Sequence, residues 1–447
     1  MSGKKPRWRQ RRLALTLLAG ATLIVSVSSC GEQATSSGTP QGRPSSTLPV
    51  EVLQSELDRS ESSAPDTDVA QATQAGSRFG LDLFKSARSA EENIALSPYS
   101  LSIALAMTLA GARGDTEQEM LQALSLTLSP ERLHPALNSL SLDLQEAADT
   151  SQRRDVKLRL HQVGSLWGQR GQTYQTDFLD LLARDYGAGL HLLDNLSSEE
   201  ARLAINDWAK GETSGRIPEL LSPGALTRPD PIYLVLANTL TLSAPWKWPF
   251  PWENTSPGVF HLLDGTEREV PMMRQAMPFP YQEGADYQAI ELPYVGQKFG
   301  MVILLPGEGK FEEFMRGLDE ERLQEIVAGL REDELMPLTL PRFSVEWRSP
   351  LKQLLQGLGM QLSFDQDAAD FSGMNGSGGI WVDEVYHAAR ITVDEVGTEA
   401  AAGSAVVMAA GIGQREMVVD RPFVFLIRHR ETGAMLFLGQ VVDPVSP

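Results

Sequence analysis

Residues 392–410 constrain the fold of this chain more than any other segment, because they have the spacing of a strand without its usual large side chains. Side chains two residues apart share one face of a strand, and β-branched or aromatic residues normally stabilise that face. Here one face is uncharged and begins with very small side chains: Thr398, Ala400, Ala402, Ser404, Val406, Met408 and Ala410. The pattern favours entry into an existing sheet.

The flanks of this segment help to distinguish an inserting strand from a flexible surface loop, which a run of Ala, Gly and Ser also fits. Upstream, residues 380–396 are rich in β-branched and aromatic side chains and predict a long strand. Downstream, the polar and Gly-rich residues 411–416 precede another predicted strand over residues 421–427. The sequence therefore predicts an insertable segment that connects two strands.

The remainder of the chain predicts one large α+β domain. With 447 residues and 42% hydrophobic content, the chain can bury a substantial core. Apolar periodicity predicts helices over residues 75–89, 98–110, 116–124, 135–148, 175–186, 197–211, 311–330 (two short helices) and 351–358. It predicts strands over residues 157–167, 232–242, 270–273, 287–292, 299–305 and 335–345. No fixed repeat and no linker after residue 70 divide these elements, which favours a single domain over residues 71–447.

Residues 1–29 predict a signal peptide for export. Six Lys and Arg residues precede an apolar stretch over residues 13–27, and small residues lead to Cys30. Cys30 is the only cysteine, which excludes a disulfide framework. Its context resembles the lipobox of bacterial lipoproteins, which implies lipidation of Cys30 and a membrane anchor in the cell envelope, in the outer membrane where the cell has one. An ordinary signal peptide with a chance cysteine, and hence a secreted protein, is the alternative.

Residues 30–70 predict a lipidated cysteine followed by a disordered tether. Residues 32–70 are rich in Ser, Thr, Pro, Gln and acidic residues and poor in aromatic ones. Loss of the six positive charges of residues 1–29 would change the net charge from −19 to −25. So acidic a chain is not expected to bind nucleic acid.

A series of short motifs follows in one order along residues 70–447. They are NIALSPYS (93–100), ALAM (104–107), GARGDT (111–116), INDW (205–208), TSGRI (213–217), NTLTLSAPW (238–246), VPMM (270–273), LPRF (340–343), LGM (358–360), DFS (370–372), VYH (385–387), RPF (421–423) and FLGQV (437–441). In this order the motifs resemble the serpin family.

The resemblance implies a serpin-type domain with a large central mixed β-sheet, further sheets, about eight or nine helices and an exposed reactive-centre loop. It implies a serine protease inhibitor rather than an enzyme. The protease cleaves the loop and forms a covalent acyl-enzyme, which is trapped when the loop inserts into the central sheet. We expect a monomer without cofactors. A heparin-like cofactor is not expected, because the predicted helix over residues 135–148 lacks a Lys/Arg face.

Family spacing also implies where the loop is cut. The spacing counted forward from Glu395 and the spacing counted back from Pro422 both lead to Gly411, so the reactive bond is predicted at Gly411–Ile412. Small apolar residues precede this bond and suit elastase-like or subtilisin-like proteases: Val407, Met408, Ala409 and Ala410. The hinge that inserts first is predicted to comprise Glu395, Gly397, Thr398, Glu399, Ala400, Ala401, Ala402 and Gly403.

The resemblance also predicts a buried polar cluster that controls the opening of the sheet. Its members are Asn93, Ser97, Ser100, Asn238 and His387. Trp246 is similar to the tryptophan beside which the loop enters. Without the resemblance, His387 would be a satisfied core histidine and Trp246 an ordinary core residue.

Other functions find less support in the sequence. The six histidines lack the spacing of metal ligands, so no metal site is predicted. No nucleotide-binding or hydrolase motif stands out in a strand-to-helix context. The main alternative is a non-inhibitory serpin-fold protein that serves as a binding or carrier protein on the cell surface. Bulky or charged residues in place of Thr398 and the alanines that follow it would favour that alternative, and they are missing here.

Overall fold

The computed structural model of the protein describes residues 48–61, 64–153, 156–332, 335–399 and 415–445. Ten α-helices occur within these ranges: α1 (Asp66–Ala87), α2 (Pro98–Leu109), α3 (Gly114–Ala123), α4 (Pro130–Thr150), α5 (Thr176–Leu181), α6 (Glu199–Glu212), α7 (Phe311–Gly317), α8 (Glu320–Gly329), α9 (Lys352–Gly357) and α10 (Ser372–Asn375). A π-helical turn, Leu182–Tyr186, continues α5.

The strands of the same ranges are β1 (Glu51–Leu53), β2 (Ile94–Leu96), β3 (Gln152–Arg153), β4 (Val156–Lys157), β5 (Arg159–Gln169), β6 (Leu190–Leu193), β7 (Leu234–Pro245), β8 (Ser256–His261), β9 (Glu267–Met277), β10 (Pro280–Glu283), β11 (Tyr287–Pro293), β12 (Phe299–Pro306), β13 (Arg331–Glu332), β14 (Met336–Pro341), β15 (Phe343–Pro350), β16 (Val382–Val393), β17 (Gly397–Thr398), β18 (Met417–Val418), β19 (Phe423–His429) and β20 (Met435–Val441).

The central sheet is mixed, in the order β1-β6-β5-β7-β17-β16-β15. Its long strands β7 and β16 run parallel to each other. The two-residue strand β17 lies between their C-terminal ends and is antiparallel to both. A second sheet has the order β13-β10-β11-β12-β19-β20-β2, and a third the order β18-β14-β9-β8. The predicted α+β class with a large mixed sheet and further sheets is confirmed.

Side chains of β7 alternate between two hydrophobic cores on opposite faces of the central sheet. Leu234 and Leu236 belong to the larger core, which includes residues of α1 and α2. Val235 and Ala237 belong to a smaller core, to which α6 contributes. Successive side chains of a strand point to opposite faces, so α6 covers one face of β7 and the larger core covers the other.

The buried helix α2 carries two of the predicted cluster residues to the central sheet. Ser97 caps its N-terminus, because the Oγ atom accepts a bond from the Ser100 N–H at 3.2 Å. Pro98 occupies the first helical position, where a missing N–H costs nothing. Every residue of the helix except Ser102 is buried.

The predicted tether is wrong for residues 48–61 and 64–70, which belong to the folded structure. Strand β1 pairs with β6 at the edge of the central sheet, with Val52 opposite His191. Farther along, the Ser60 N–H donates to the Arg184 carbonyl at 2.8 Å. Helix α1 then begins at Asp66, well before the predicted start at residue 75. The polar composition of this segment concealed a short strand whose partner lies far away in the sequence.

The predicted single strand over residues 335–345 is two strands in different sheets. Strand β14 pairs with β9, whereas β15 pairs with β16 in the central sheet. Between them the Arg342 N–H donates to the Pro271 carbonyl at 2.9 Å. Pro341 precedes this change of sheet and has no N–H with which to continue a ladder.

Candidate functional site at the opening between β7 and β16

The line along which β7 and β16 meet is called the seam. The two strands pair over most of the seam and are separated at its C-terminal end, which is the upper end. The two strands pair from Val382 and Leu234 up to Ala389 and Leu240. Above this point β17 separates them, and Thr398 lies opposite both Val393 of β16 and Ala244 of β7. The predicted hinge residues Gly397 and Thr398 therefore already occupy the start of an additional strand.

Thr398 is held in this position by a buried hydrogen bond. Its side chain has no exposed surface, and its Oγ1 atom lies 2.6 Å from the hydroxyl of Tyr294. Burial raises the pKa of Tyr294, with the bond to Thr398 acting in the opposite direction. The backbone continues the strand, since the Glu399 N–H donates to the Thr392 carbonyl at 2.9 Å. The small, uncharged residue predicted here is fully enclosed.

Trp246 marks the point where the hinge enters the sheet. Its indole N–H donates to the Asp394 carbonyl at 3.0 Å, and its backbone N–H donates to the Val396 carbonyl at 2.9 Å. The ring stacks on Tyr294 with centroids 4.6 Å apart and an interplanar angle of 6°. Trp246 and Tyr294 together form a buried platform beside β17.

A buried ion pair fixes the residue that precedes the hinge. Glu395 has no exposed surface, and Arg342 Nη2 lies 2.5 Å from its Oε1 atom. The same Oε1 accepts a bond from Thr255 Oγ1 at 2.6 Å, while Oε2 has no hydrogen-bond partner among the described residues. Arg342 also lies over the ring of Trp252, 5.0 Å from its centroid. These contacts connect the base of the loop to the junction between β14 and β15 and to the segment after β7.

Glu399 ends the described part of the hinge in a conformation that is uncommon for a glutamate. Its φ angle is 48°, in the left-handed region. Arg216 Nε lies 2.8 Å from Glu399 Oε2, and the carboxylate is only 9% exposed. Ser243 Oγ donates to the Glu399 carbonyl at 3.0 Å. Arg216 follows the end of α6 closely in the sequence. This ion pair therefore links the hinge to the segment that follows α6, the helix that covers the sheet.

Gly397 is required by the close approach of β7. A Cβ atom at this position would lie 2.3 Å from the Ala244 carbonyl oxygen and 2.7 Å from Pro245 Cα. Both neighbours are backbone atoms, which cannot rotate away. The sequence indicated a need for backbone freedom here, whereas the structure indicates a need for space.

Replacement of Gly397 by alanine is expected to displace β17 from the seam. The clash should cost about 1–3 kcal/mol, the range for an added methyl group in a packed site. Amide hydrogen exchange should then accelerate at Trp246 and Glu399, whose N–H groups bond across the hinge. Gly211→Ala is the matched control, since a Cβ atom there meets nothing within 4 Å. Equal exchange in both variants would contradict this account.

Four of the five predicted cluster residues meet across the closed part of the seam. His387 of β16 lies opposite Asn238 of β7, and its Nδ1 lies 2.9 Å from Asn238 Oδ1. The Ser97 N–H donates to His387 Nε2 at 3.1 Å, so Nδ1 carries the proton and donates to Asn238. Ser100 Oγ donates to the same Asn238 oxygen at 2.7 Å. Separation of β7 from β16 must break the bond between His387 and Asn238.

Asn93 is placed elsewhere, at the opposite end of the short strand β2 from Ser97. Its Oδ1 atom accepts a bond from the Val442 N–H at 2.8 Å. Its Nδ2 donates to the Asp443 carbonyl at 2.6 Å. Strand β2 puts Asn93 roughly 13 Å from Ser97 along the chain. Asn93 therefore anchors the segment after β20, and the structure does not bring it to the seam.

The sequence and fold of this chain match one family over most of its length. The family model described as Serpin (serine protease inhibitor) matches residues 74–444. The chain is a serpin.

Relatives of this serpin include proteins named as protease inhibitors. The chain is 33% identical to the leukocyte elastase inhibitor of Homo sapiens over 387 residues, which cover 84% of the chain and 100% of that protein. It is 32% identical to plasminogen activator inhibitor 1 of Sus scrofa over 378 residues, which cover 82% of the chain and 91% of that protein.

The chain also resembles a serpin-like protein and a serpin of known structure. It is 35% identical to an uncharacterized serpin-like protein of Thermococcus kodakarensis over 373 residues, covering 82% of the chain and 84% of that protein. The crystal structure of the thermophilic serpin tengpin in its native state superposes with a TM-score of 0.77 at 26% identity, covering 88% of this chain and 99% of tengpin.

The buried histidine of this serpin is neutral at physiological pH. Burial lowers the pKa of His387 to about 3, although the bond to Asn238 acts in the opposite direction. The unfolded chain would titrate near 6.5. The contribution of neutral His387 to the free energy of unfolding is therefore complete above about pH 6.5. It declines as the pH falls towards 3, because the histidine of the unfolded state takes up a proton in this range.

We expect His387 to lower the free energy of unfolding by about 2 kcal/mol between pH 7 and pH 5. Urea titrations of the serpin and of a His387→Gln variant at both pH values would measure this contribution of His387 to the free energy of unfolding. The variant should be less stable at pH 7. Between pH 7 and pH 5 the variant should lose about 2 kcal/mol less stability than the parent. The other titrating groups contribute equally to both proteins, so the difference reports His387 alone. An identical pH dependence would refute the assignment.

Several residues of the site were not singled out from the sequence. Tyr294, Arg216 and Thr255 contact the hinge from distant parts of the chain. Arg216 and Arg342 were noted only within motifs, without their roles as the partners of Glu399 and Glu395. The closest signal for Tyr294 was its position two residues after the predicted strand over residues 287–292.

The remaining predicted residues lie outside the described part of this serpin. They are Cys30, Ala400, Ala401, Ala402, Gly403, Val407, Met408, Ala409, Ala410, Gly411 and Ile412. Their assignments stay predictions. Within the described ranges no helix is long and apolar enough to cross a membrane. The same ranges hold no group of three or more His, Cys, Asp or Glu side chains suited to a metal ion.

Proposed function

We propose that this serpin inhibits serine proteases as a suicide substrate, by inserting its cleaved loop between β7 and β16. The observation that carries the proposal is the position of β17. Thr398 pairs with both strands at the open end of the seam, and Gly397 pairs with β7. A strand that continued in the same direction would run antiparallel to both neighbours, the more stable form of pairing.

The dimensions of the sheet fit an inserted strand from the loop. Strand β7 has 12 residues, as does β16, and each therefore spans about 40 Å. Residues 397–411 would span about 50 Å when extended. Thr398 points into the core, so Ala400, Ala402 and the later alternate residues would share its face. Their small size permits entry without large rearrangement of the core.

The chemistry of trapping uses the nucleophile of the protease. Its serine attacks the carbonyl of Gly411, the amine of Ile412 leaves, and Gly411 remains bound as an ester. Insertion would then move the bound protease towards the far end of the sheet. Displacement of catalytic groups by about 1 Å can slow a reaction about 100-fold, so distortion of the protease would prevent hydrolysis of the ester.

The target is proposed to be an elastase-like or subtilisin-like protease. The residues before Gly411 are small or aliphatic, and a trypsin-like enzyme would require a basic residue at the cut. The relationship to leukocyte elastase inhibitors supports the same class. Pockets for small apolar groups differ by only about 1–3 kcal/mol in selectivity, so the proposal names a class of protease.

Incubation of the purified chain from Gly31 onwards with an elastase or a subtilisin tests the mechanism. We expect a covalent complex on a denaturing gel and a released peptide that begins at Ile412 by mass spectrometry. A protease whose serine has been blocked should give neither product. Clean cleavage without a complex, and without increased thermal stability of the cleaved protein, would instead identify a non-inhibitory binding or carrier protein.

We further propose that residues 1–29 direct export and that a lipid on Cys30 anchors the inhibitor to the cell envelope, as a monomer. The support is the sequence before Cys30 together with its status as the sole cysteine. Expression in a bacterium with labelled palmitate should label the protein and place it in the membrane fraction. Cys30→Ala should remove the label. A labelled Cys30→Ala protein, or an unlabelled parent, would refute the anchor.

A further inference from the structure

An acidic groove lies on the surface formed by α1, α4 and the turn between β19 and β20. It has a volume of about 570 Å³, within the range of small-ligand sites. Four carboxylates line it, from Asp66, Asp143, Glu146 and Glu431, together with Lys298. Lys298 Nζ lies 3.3 Å from Glu431 Oε2. The other three carboxylates have no ion-pair partner in the described part of the chain.

The carboxylates of the acidic groove repel one another. Burial raises the pKa of Asp143, and the negative charges of Glu146, Glu431 and Asp66 raise it further. Like charges that converge on one space favour either protonation or a bound cation. A cation in the groove would relieve this repulsion.

Two buried polar atoms in the acidic groove lack hydrogen-bond partners among the described residues, which independently points to a ligand. They are Thr73 Oγ1 and His429 Nε2. Both residues line the groove, with 7% and 3% of their surface exposed. His429 Nδ1 lies 2.9 Å from Thr432 Oγ1, and the Thr432 N–H lies 3.4 Å from the same nitrogen. A backbone N–H can only donate, so the tautomer that accepts at Nδ1 and carries a hydrogen on Nε2 fits both contacts. His429 therefore offers an unused donor.

An apolar hollow of about 510 Å³ adjoins the acidic groove and shares Ala70, Thr73 and Thr432 with it. Its aliphatic lining comes from Leu323, Val327, Leu426 and Met435. The charged residues of the hollow already have partners. Arg78 lies 3.3 Å from Glu320, and Arg428 lies 3.0 Å from Glu291. The combined site therefore offers carboxylates and a hydrogen-bond donor in the acidic groove, and aliphatic surface in the adjoining hollow.

We propose that this combined site binds the amino terminus of a peptide whose first side chain is aliphatic. The ammonium group would lie among the carboxylates of Asp143 and Glu146, where Thr73 Oγ1 can accept one of its hydrogens. The first carbonyl would accept the hydrogen of His429 Nε2. The aliphatic side chain would enter the apolar hollow. A free amino-acid amide presents the same three groups. The site is independent of loop insertion.

A series of small probes tests each part of this recognition. Leucinamide should bind the intact purified protein in a titration followed by NMR. N-acetylleucinamide lacks the ammonium group, isoamylamine lacks the carbonyl, and glycinamide lacks the aliphatic side chain. Each should bind about tenfold more weakly, because each loses either a hydrogen bond to a charged or buried group or a buried aliphatic side chain. Equal binding of leucinamide and N-acetylleucinamide would overturn the proposal.

Substitutions then locate the site. An Asp143→Asn/Glu146→Gln double variant should weaken leucinamide binding about fivefold to tenfold, since each charge is exposed to solvent and partly screened. Thr73→Val should weaken it while leaving the fold intact, because the lost hydroxyl has no partner. Glu308→Gln changes one charge on an exposed loop away from the groove and should leave binding unchanged. Equal weakening by Glu308→Gln and the groove variant would mean non-specific attraction and would overturn the site.

The source of the ligand follows from one comparison. A tripeptide amide, Leu-Ala-Ala-NH2, should bind more tightly than leucinamide if the groove receives a polypeptide terminus. Equal affinity would support the site and identify a free amino-acid derivative as the natural ligand. Failure of both probes to bind would overturn the proposal, and it would leave the formation of covalent protease complexes unaffected.

Discussion

Replacement of Thr398 by arginine is expected to convert the inhibitor into a substrate while leaving the fold intact. Thr398 is fully buried between β7 and β16, and its hydroxyl bonds to Tyr294. An arginine would have to bury an unpaired charge in order to remain there, which is strongly unfavourable. The variant hinge would therefore stay outside the sheet, and the protease would hydrolyse the ester before the loop could insert.

The expected effect is large, because insertion competes with hydrolysis. An uncompensated buried charge costs about 3–5 kcal/mol, which would slow insertion by at least about 100-fold. The number of inhibitor molecules consumed per protease molecule inactivated should rise by a similar factor. Titration of an elastase with the variant, followed on denaturing gels, measures this number directly. Circular dichroism and thermal unfolding of the uncleaved variant would verify the fold.

Thr398→Val is the matched control for this experiment. Valine keeps the shape of threonine but removes the bond to Tyr294, so it should retain most covalent trapping and lower stability by about 1–3 kcal/mol. If Thr398→Arg formed the covalent complex as efficiently as the parent, insertion through this seam would be refuted. If neither variant formed the covalent complex, the bond to Tyr294 rather than the size and charge of the side chain would control insertion of the loop.

The fold was predictable because its signals are local and strong. Buried runs such as residues 299–305 and 232–242 identify their own strands by composition. The predicted hinge was placed by its small side chains and by the family spacing around Glu395. Its contacts were not predictable in the same way. Tyr294 and Thr398 lie 104 residues apart in sequence. They are brought together by the pairing of Thr398 with β7 and by the bridge between Trp246 and Tyr294.

Two further differences have the same physical cause. Asn93 was grouped with Ser97 because the family resemblance implies one buried polar cluster for both, but the extended β2 carries them to opposite ends of a strand. Residues 48–61 carry the composition of a tether, yet β1 satisfies its backbone at the edge of the central sheet. Composition describes side chains, whereas an edge strand is held by backbone bonds to a distant partner. The sequence pattern therefore could not predict which distant segments pair with each other.

Replacement of Arg342 by methionine is expected to destabilise the uncleaved protein by about 2–3 kcal/mol. The change leaves the buried carboxylate of Glu395 with only the Thr255 hydroxyl as a side-chain partner. Loss of one partner of a fully buried ion pair costs about 3–5 kcal/mol. Arg342 is 37% exposed, so water screens part of the interaction and the smaller figure applies. Urea titration would measure the loss.

A double variant separates the buried charge from the lost packing of the arginine. Addition of Glu395→Gln to Arg342→Met removes the unpaired charge, so the double variant should recover about 1–2 kcal/mol relative to Arg342→Met alone. Arg348→Met is the control, because Arg348 lies on the adjoining strand β15 with a similar 40% exposure and partly exposed partners. It should change stability by less than about 1 kcal/mol. No recovery in the double variant would mean that Arg342 acts through its packing on Trp252, and the base of the loop would then be held by shape rather than by charge.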